Sequence, residues 1–208
     1  MESYLRAGVA IYNAGEYHAA HDAWENHWLN LTQGTDDEQF LHGLIQFTAA
    51  VYHAHNRNWS GATGLAASAT DYLADLSATY RGVDLGSVNR YLVALNNDPE
   101  RVERQRPLRL AYKGSVVGFG DLDFNETAIA AEVLAEEHGY DEAMVRQAID
   151  FARADLDSEQ TASPFVTFLF DFVREPDQRG IILQRLEEHV TRRVHRESDV
   201  SGLFDARE

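Results

Sequence analysis

Apolar residues recur at helical spacing through most of the chain. Tyr4, Leu5, Gly8, Val9, Ile11 and Tyr12 predict a first helix, stopped by Asn13-Ala14-Gly15. A second is predicted from about Glu16 to Leu31, ended by Gln33-Gly34-Thr35. Thr35-Asp36-Asp37-Glu38 then reads as a capping box for a third helix, Asp36 to His55. That helix is apolar over a broad side: Phe40, Leu41, Leu44, Ile45, Phe47, Val51 and Tyr52. A fourth is predicted from about Ser60 to Tyr80. Turns this short between helices this long imply antiparallel neighbours.

Residues 82–123 break the pattern. Gly82, Gly86, Pro99, Pro107, Gly114, Gly118 and Gly120 punctuate them. One short helix is expected near Leu85–Leu95. Leu108, Leu110 and Tyr112 alternate with Arg109, Ala111 and Lys113, the mark of a short strand or extended segment. Helical spacing then returns. Asn125 is the expected cap of a helix running to Gly139, Asp141 of the next, and Ser163-Pro164 of an apolar helix through Phe165, Leu169 and Phe172. Glu175-Pro176 interrupts it before a final helix to about Arg196. The predicted fold is therefore all-α, an antiparallel helical bundle or array. Its expected parts are a core over residues 1–81, a connector over 82–123 and a C-terminal helical extension over 124–208, packed on the core. An aromatic three residues before an alanine occurs at Tyr17 and again at Trp59, too few copies for a solenoid.

Composition narrows the chemistry. With 44% hydrophobic residues the chain can build a core. It has no cysteine, which excludes disulfides, thiolate metal sites and cysteine nucleophiles. No apolar run is long enough to span a membrane, and Met1-Glu2-Ser3 does not open a secretion signal, so a cytoplasmic protein is expected. The net charge is −16, and Lys113 is the only lysine. Carboxylates spread along the chain, with so little lysine, are typical of proteins from salt-loving microbes. Molar salt screens their repulsion, and the acidic surface stays hydrated. The same charge argues against nucleic-acid binding. An acidic partner-binding face is the rival explanation.

The second helix carries the candidate chemistry. Tyr17, His21, Trp24, Glu25 and Trp28 share a face by their three-and-four spacing. The third helix has a narrower face of Gln39, Gly43, Gln46, Ala50 and His53, whose small residues would admit a neighbouring helix. If the two faces meet, His21, Glu25, Gln46 and His53 form one polar cluster beneath Trp24 and Trp28. Three uses of such a cluster stay open: a satisfied structural network, a small-ligand pocket with His21 and Glu25 as acid/base groups, or a metal site on His21, Glu25 and His53. The paired motifs of di-iron bundles are missing. His18, His27, His42, His55, His189 and His195 read as solvated or structural positions.

The segments Ala14-Gly15-Glu16-Tyr17-x-x-Ala20-His21-Asp22-x-x-Glu25-x-x-Trp28, Phe40-Leu41-His42-Gly43-Leu44-Ile45-Gln46, Tyr52-His53 and Asn58-Trp59-x-Gly61-Ala62 resemble the domain-of-unknown-function family 309, over about residues 5–80. The resemblance implies packed antiparallel helices and no established activity. It maps the family's histidine, glutamate and tryptophan onto His21, Glu25 and Trp28, its Gly-Leu-Ile-Gln onto Gly43 to Gln46, and its later histidine onto His53.

Arg101, Arg104, Arg106, Arg109 and Lys113 place five of the 18 basic residues within one short stretch. They are expected to pair with the chain's own carboxylates, or else to hold an anion. No nucleotide fingerprint or serine triad is present. The expected function is small-molecule binding through His21, Glu25, Trp28, Gln46 and His53; the alternative is a helical protein-interaction module in which the cluster is structural. No cofactor, metal or catalytic residue is assigned. The sequence leaves enzyme status and oligomeric state open.

Overall fold

The computed structural model describes residues 1–160 and 162–205, with 199–205 as backbone alone. Residues 161 and 206–208 of the expected extension lie outside the described residues. The fold is all-α apart from a fragment of sheet. Its helices are α1 (Glu2–Asn13), α2 (Tyr17–Trp28), α3 (Asp36–His55), α4 (Trp59–Leu73), α5 (Leu85–Asn97), α6 (Phe124–Glu137), α7 (Glu142–Asp157), α8 (Pro164–Arg174) and α9 (Arg179–Asp205). The chain divides into two compact units, residues 1–133 and 134–208, and the division falls within α6. The stretch 82–123 lies in the first unit. Among the described residues, no helix is long and apolar enough to cross a membrane.

In the first unit, α1 packs on α2, α2 on α3, α3 on α4 and α4 on α5. The breadth of the apolar pattern on α3 follows from this central place: Phe40, Leu41, Leu44, Phe47 and Val51 are fully buried. α1 is stopped as its sequence predicts. Gly15 takes φ +93°, Gly15 N–H donates to Tyr12 O and Glu16 N–H to Ile11 O, a Schellman ending. Thr35 caps α3 by accepting from Glu38 N–H, and Asn58 caps α4 by accepting from Gly61 N–H.

Two expectations change. The fourth helix stops at Leu73, well short of Tyr80. Thr79–Tyr80 (β1) is drawn instead into a hairpin with Val83–Asp84 (β2), and β2 pairs with Ala111–Tyr112 (β3), which pairs with Ser115–Val116 (β4), all antiparallel. Both two-residue turns, Arg81-Gly82 and Lys113-Gly114, have positive φ at both positions, as hairpins of this length require. Each turn is anchored alike. Tyr80 Oη and the Arg81 guanidinium converge on Asp37 in the first turn of α3; Tyr112 Oη and Lys113 Nζ converge on Glu2 in the first turn of α1. Tertiary anchoring of the hairpin thus overrides the weak helical preference after Leu73. Second, α6 is capped by Asp123 and not Asn125. Glu126 N–H donates to Asp123 Oδ1 and Asp123 N–H donates back to Glu126 Oε2, a reciprocal box one turn deep. Glu126 Oε1 also accepts from Arg6 Nε at 2.6 Å.

The second unit packs α7, α8 and α9 together. Asp141 and Ser163 cap α7 and α8 as expected, and Ile149, Phe165, Leu169, Phe172 and Leu186 fill the core. Asp155, 1% exposed, is neutralised by Arg193 at 3.0 Å. This satisfies a carboxylate that would otherwise be costly to bury.

Candidate functional site

The face of α2 divides by depth. Ala19, Ala20, Ala23 and Trp24 are fully buried; His21, Asp22 and Glu25 lie half-buried on its shoulder. Trp24 can turn inward because Gly8 of α1 has no side chain: a Cβ there would sit 2.1 Å from Trp24 Nε1. The indole N–H reaches Leu5 O at 3.4 Å. On the shoulder, His21 Nδ1 lies 2.9 Å from Asp22 Oδ1 and 4.0 Å from Glu25 Oε2. Asp22 also meets His18 Nδ1 at 3.4 Å. One nitrogen and two carboxylate oxygens from His21, Asp22 and Glu25 lie within 4.8 Å of one another, a donor set that suits a divalent cation. Asp22 was legible only as the neighbour of His21.

Gln46 and His53 make no bond to this shoulder among the described residues. A Cβ on Gly43 would lie 2.5 Å from Leu73 of α4, so the small-residue row of α3 admits α4, not α2. His53, on that row, accepts at Nδ1 from Asn58 Nδ2 at 2.8 Å, while Asn58 Oδ1 caps α4. Gln46 is half-buried. The structure therefore brings together His21 and Glu25, and among the described residues joins neither to Gln46 or His53 by a hydrogen bond or ion pair.

Trp28 belongs to a different group. Its Nε1 donates to Glu38 Oε1 at 2.8 Å, and Gly34 N–H donates to Glu38 Oε2 at 3.2 Å. His42 Nδ1 lies 3.5 Å from Glu38 Oε1. The His42 ring stacks on Tyr72 of α4 with centroids 3.8 Å apart, and its other neighbour is the Trp28 indole at 4.6 Å. Burial by itself pushes the Glu38 carboxyl up. The bonds from Trp28 and Gly34, with His42 beside them, outweigh burial and hold its pKa below the ordinary glutamate value. These side chains, with Leu29, Leu31 and Gln39, bound a cavity of about 490 Å³. Its chemistry is a fixed carboxylate among three aromatic rings. Of this group only Trp28 stands out in the sequence; Glu38 reads there as a capping acid and His42 as a solvated or structural position, because the partners come from three helices.

A second cavity, about 690 Å³, is lined by Glu2, Arg6, Tyr112, Lys113, Asp121 and Glu126 among others. Both of its cations are already paired: Arg6 binds Glu126 and Asp121 O, and Lys113, with Tyr112, binds Glu2. Those pairs tie β3 and the start of α6 to α1.

Comparison with curated proteins returns no match. Residues 5–65, from α1 into the first turns of α4, match the model of the family described as Domain of unknown function (DUF309), and this match supports the resemblance carried by His21, Glu25, Trp28 and the Gly43–Gln46 segment.

Proposed function

We propose that residues 1–133 form a small-molecule-binding unit whose ligand is an organic amine or similar small cation, held in the cavity bounded by Trp28, Glu38, His42 and Tyr72. One observation carries the reading: the Glu38 carboxylate, held ionised by Trp28 and Gly34, forms a wall of an aromatic cavity. An ammonium group placed there would meet a fixed anion and the faces of the Trp28 and Tyr72 rings, which attract cations. The cavity has the size of small-ligand sites. A chain of net charge −16 also concentrates cations near its surface.

The test is titration of the full chain with benzylamine, followed by tryptophan emission. Saturable quenching is expected in wild type, about tenfold weaker binding in Glu38→Gln, and unchanged binding in His21→Ala. Equal affinity in Glu38→Gln and wild type overturns the reading. Loss in His21→Ala with retention in Glu38→Gln would move the site to the His21–Glu25 shoulder. Leu29, 68% exposed at the rim, favours a second reading: a helical interaction module in which the polar groups only hold the fold. On that reading benzylamine binds no variant.

The spread of carboxylates and the single lysine support a further part of the proposal, that this is a protein of a salt-rich cytoplasm.

A further inference from the structure

The basic stretch from Arg101 to Lys113 is only partly neutralised. Arg104 pairs with Asp98 and Lys113 with Glu2. Arg101 lies over the Tyr91 ring and donates to Gln105. Arg106 and Arg109 are different: both are exposed, and among the described residues no carboxylate lies within ion-pair distance of either. In so acidic a chain, two unneutralised guanidinium groups three residues apart are unexpected.

Their position is built. Asn13, at the end of α1, donates from Nδ2 to Leu110 O and to Val117 O, both at 2.9 Å, and accepts from Leu110 N–H at 2.8 Å. These bonds pin the arginine segment over the α1–α2 turn. Between them lies a cavity of about 390 Å³ lined by Tyr12, Tyr17, Arg106, Leu108 and Arg109, with Gly15 at its edge. A Cβ on Gly15 would meet nothing within 4 Å, so the turn does not close the cavity.

Tyr12 and Tyr17 supply the aromatic part of the wall. Tyr12 is 2% exposed and its hydroxyl is sealed from solvent, so it offers the cavity no polar atom. Burial, with Tyr91 and Tyr17 nearby, pushes the Tyr12 pKa well above the ordinary tyrosine value, so this wall stays neutral. A neutral aromatic wall beside two unneutralised arginines describes a place for a negative group.

We propose that this cavity binds a small organic anion, its phosphate or carboxylate head held by Arg106 and Arg109 and its body lying against the Tyr17 ring. Guanidinium forks match the geometry of both head groups. The site is separate from the Glu38 cavity and does not rest on the amine reading.

The experiment is an NMR titration of the full ¹⁵N-labelled chain with inorganic phosphate and, separately, with benzoate, following the Gly15 and Leu110 amides. Saturable shifts are expected with at least one probe; phosphate alone identifies a phosphate head, benzoate alone a carboxylate with a ring. Arg106→Gln/Arg109→Gln should bind about tenfold more weakly, with its urea midpoint showing that the variant folds. Affinity should also fall on raising KCl to about 0.5 M. The proposal is overturned if neither probe produces saturable shifts, or if the double variant keeps the wild-type affinity.

Discussion

A Cβ on Gly8 would lie 2.1 Å from Nε1 of Trp24, so α1 and α2 meet through bare backbone and the edge of a fully buried indole. Gly8→Ala is therefore expected to destabilise the protein by about 2 kcal/mol, the cost of forcing an atom into a filled core. Gly64 of α4 is the control. It is exposed, and a Cβ there would meet nothing within 4 Å. Gly64→Ala should stabilise by roughly 0.5–1 kcal/mol through helix propensity alone. Urea unfolding of the two variants should give opposite signs; the same sign in both would contradict the packing described.

Acid should weaken the first unit through Asp37 and Glu38. The Arg81 fork, reinforced by Tyr80 and opposed by burial, holds the Asp37 carboxyl below its usual value; Glu38 is held low by Trp28, Gly34 and His42 against burial. A pKa depressed in the folded state adds stability that is complete above the unfolded value, near pH 4, and is lost as pH falls through the folded value. Wild type should lose more stability than Asp37→Asn/Glu38→Gln between about pH 5 and pH 3. Urea midpoints at both pH values measure the difference, which cancels the common effect of the other carboxylates. Parallel pH profiles would show that neither group is coupled to folding.

Asn13→Ala removes three hydrogen bonds at once and leaves Leu110 N–H, Leu110 O and Val117 O to find water. A loss of about 2 kcal/mol is expected, since part-buried groups lose their partners without replacement. The local signature is faster hydrogen exchange at the Leu110 amide than in wild type. Unchanged protection there would mean that the segment is held by its apolar contacts alone.

Salt should stabilise the protein. With a net charge of −16, self-repulsion opposes the compact state, and chloride salts screen it. The thermal midpoint is expected to rise between about 0.1 M and 2 M KCl, a range over which the screening length falls to about 3 Å or less. A midpoint that stays flat or falls would argue against adaptation to high salt.

Much of the fold is legible in the sequence because its signals are local. Thr35, Asp141 and Ser163 cap the helices they precede, and Gly15 and Gly139 end the helices before them, by hydrogen bonds that span three to five residues. The Asp36–His55 helix has the bounds its pattern predicts. The hairpins carried a short signal, a basic residue followed by glycine, but strands of two residues give no alternation to read. Their stability comes from Asp37 and Glu2, which lie 43 and 110 residues away from Tyr80 and Tyr112.

The sequence by itself determined where most of the helices lie, though not that residues 74–80 leave the fourth, and which helix faces hold polar groups that need partners. It could not determine which helix each face would meet, because helical spacing defines a direction around one axis and says nothing of the next axis. Tertiary packing decided that. Gly43 admits Leu73, and His53 bonds Asn58 at the start of α4; the turn at Gly34 brings Glu38 to Trp28, and the aromatic cavity forms there. His21 and Glu25 needed only one turn of one helix to come together. The wider cluster expected around them needed a particular neighbour, and steric fit at a single glycine gave that place to α4.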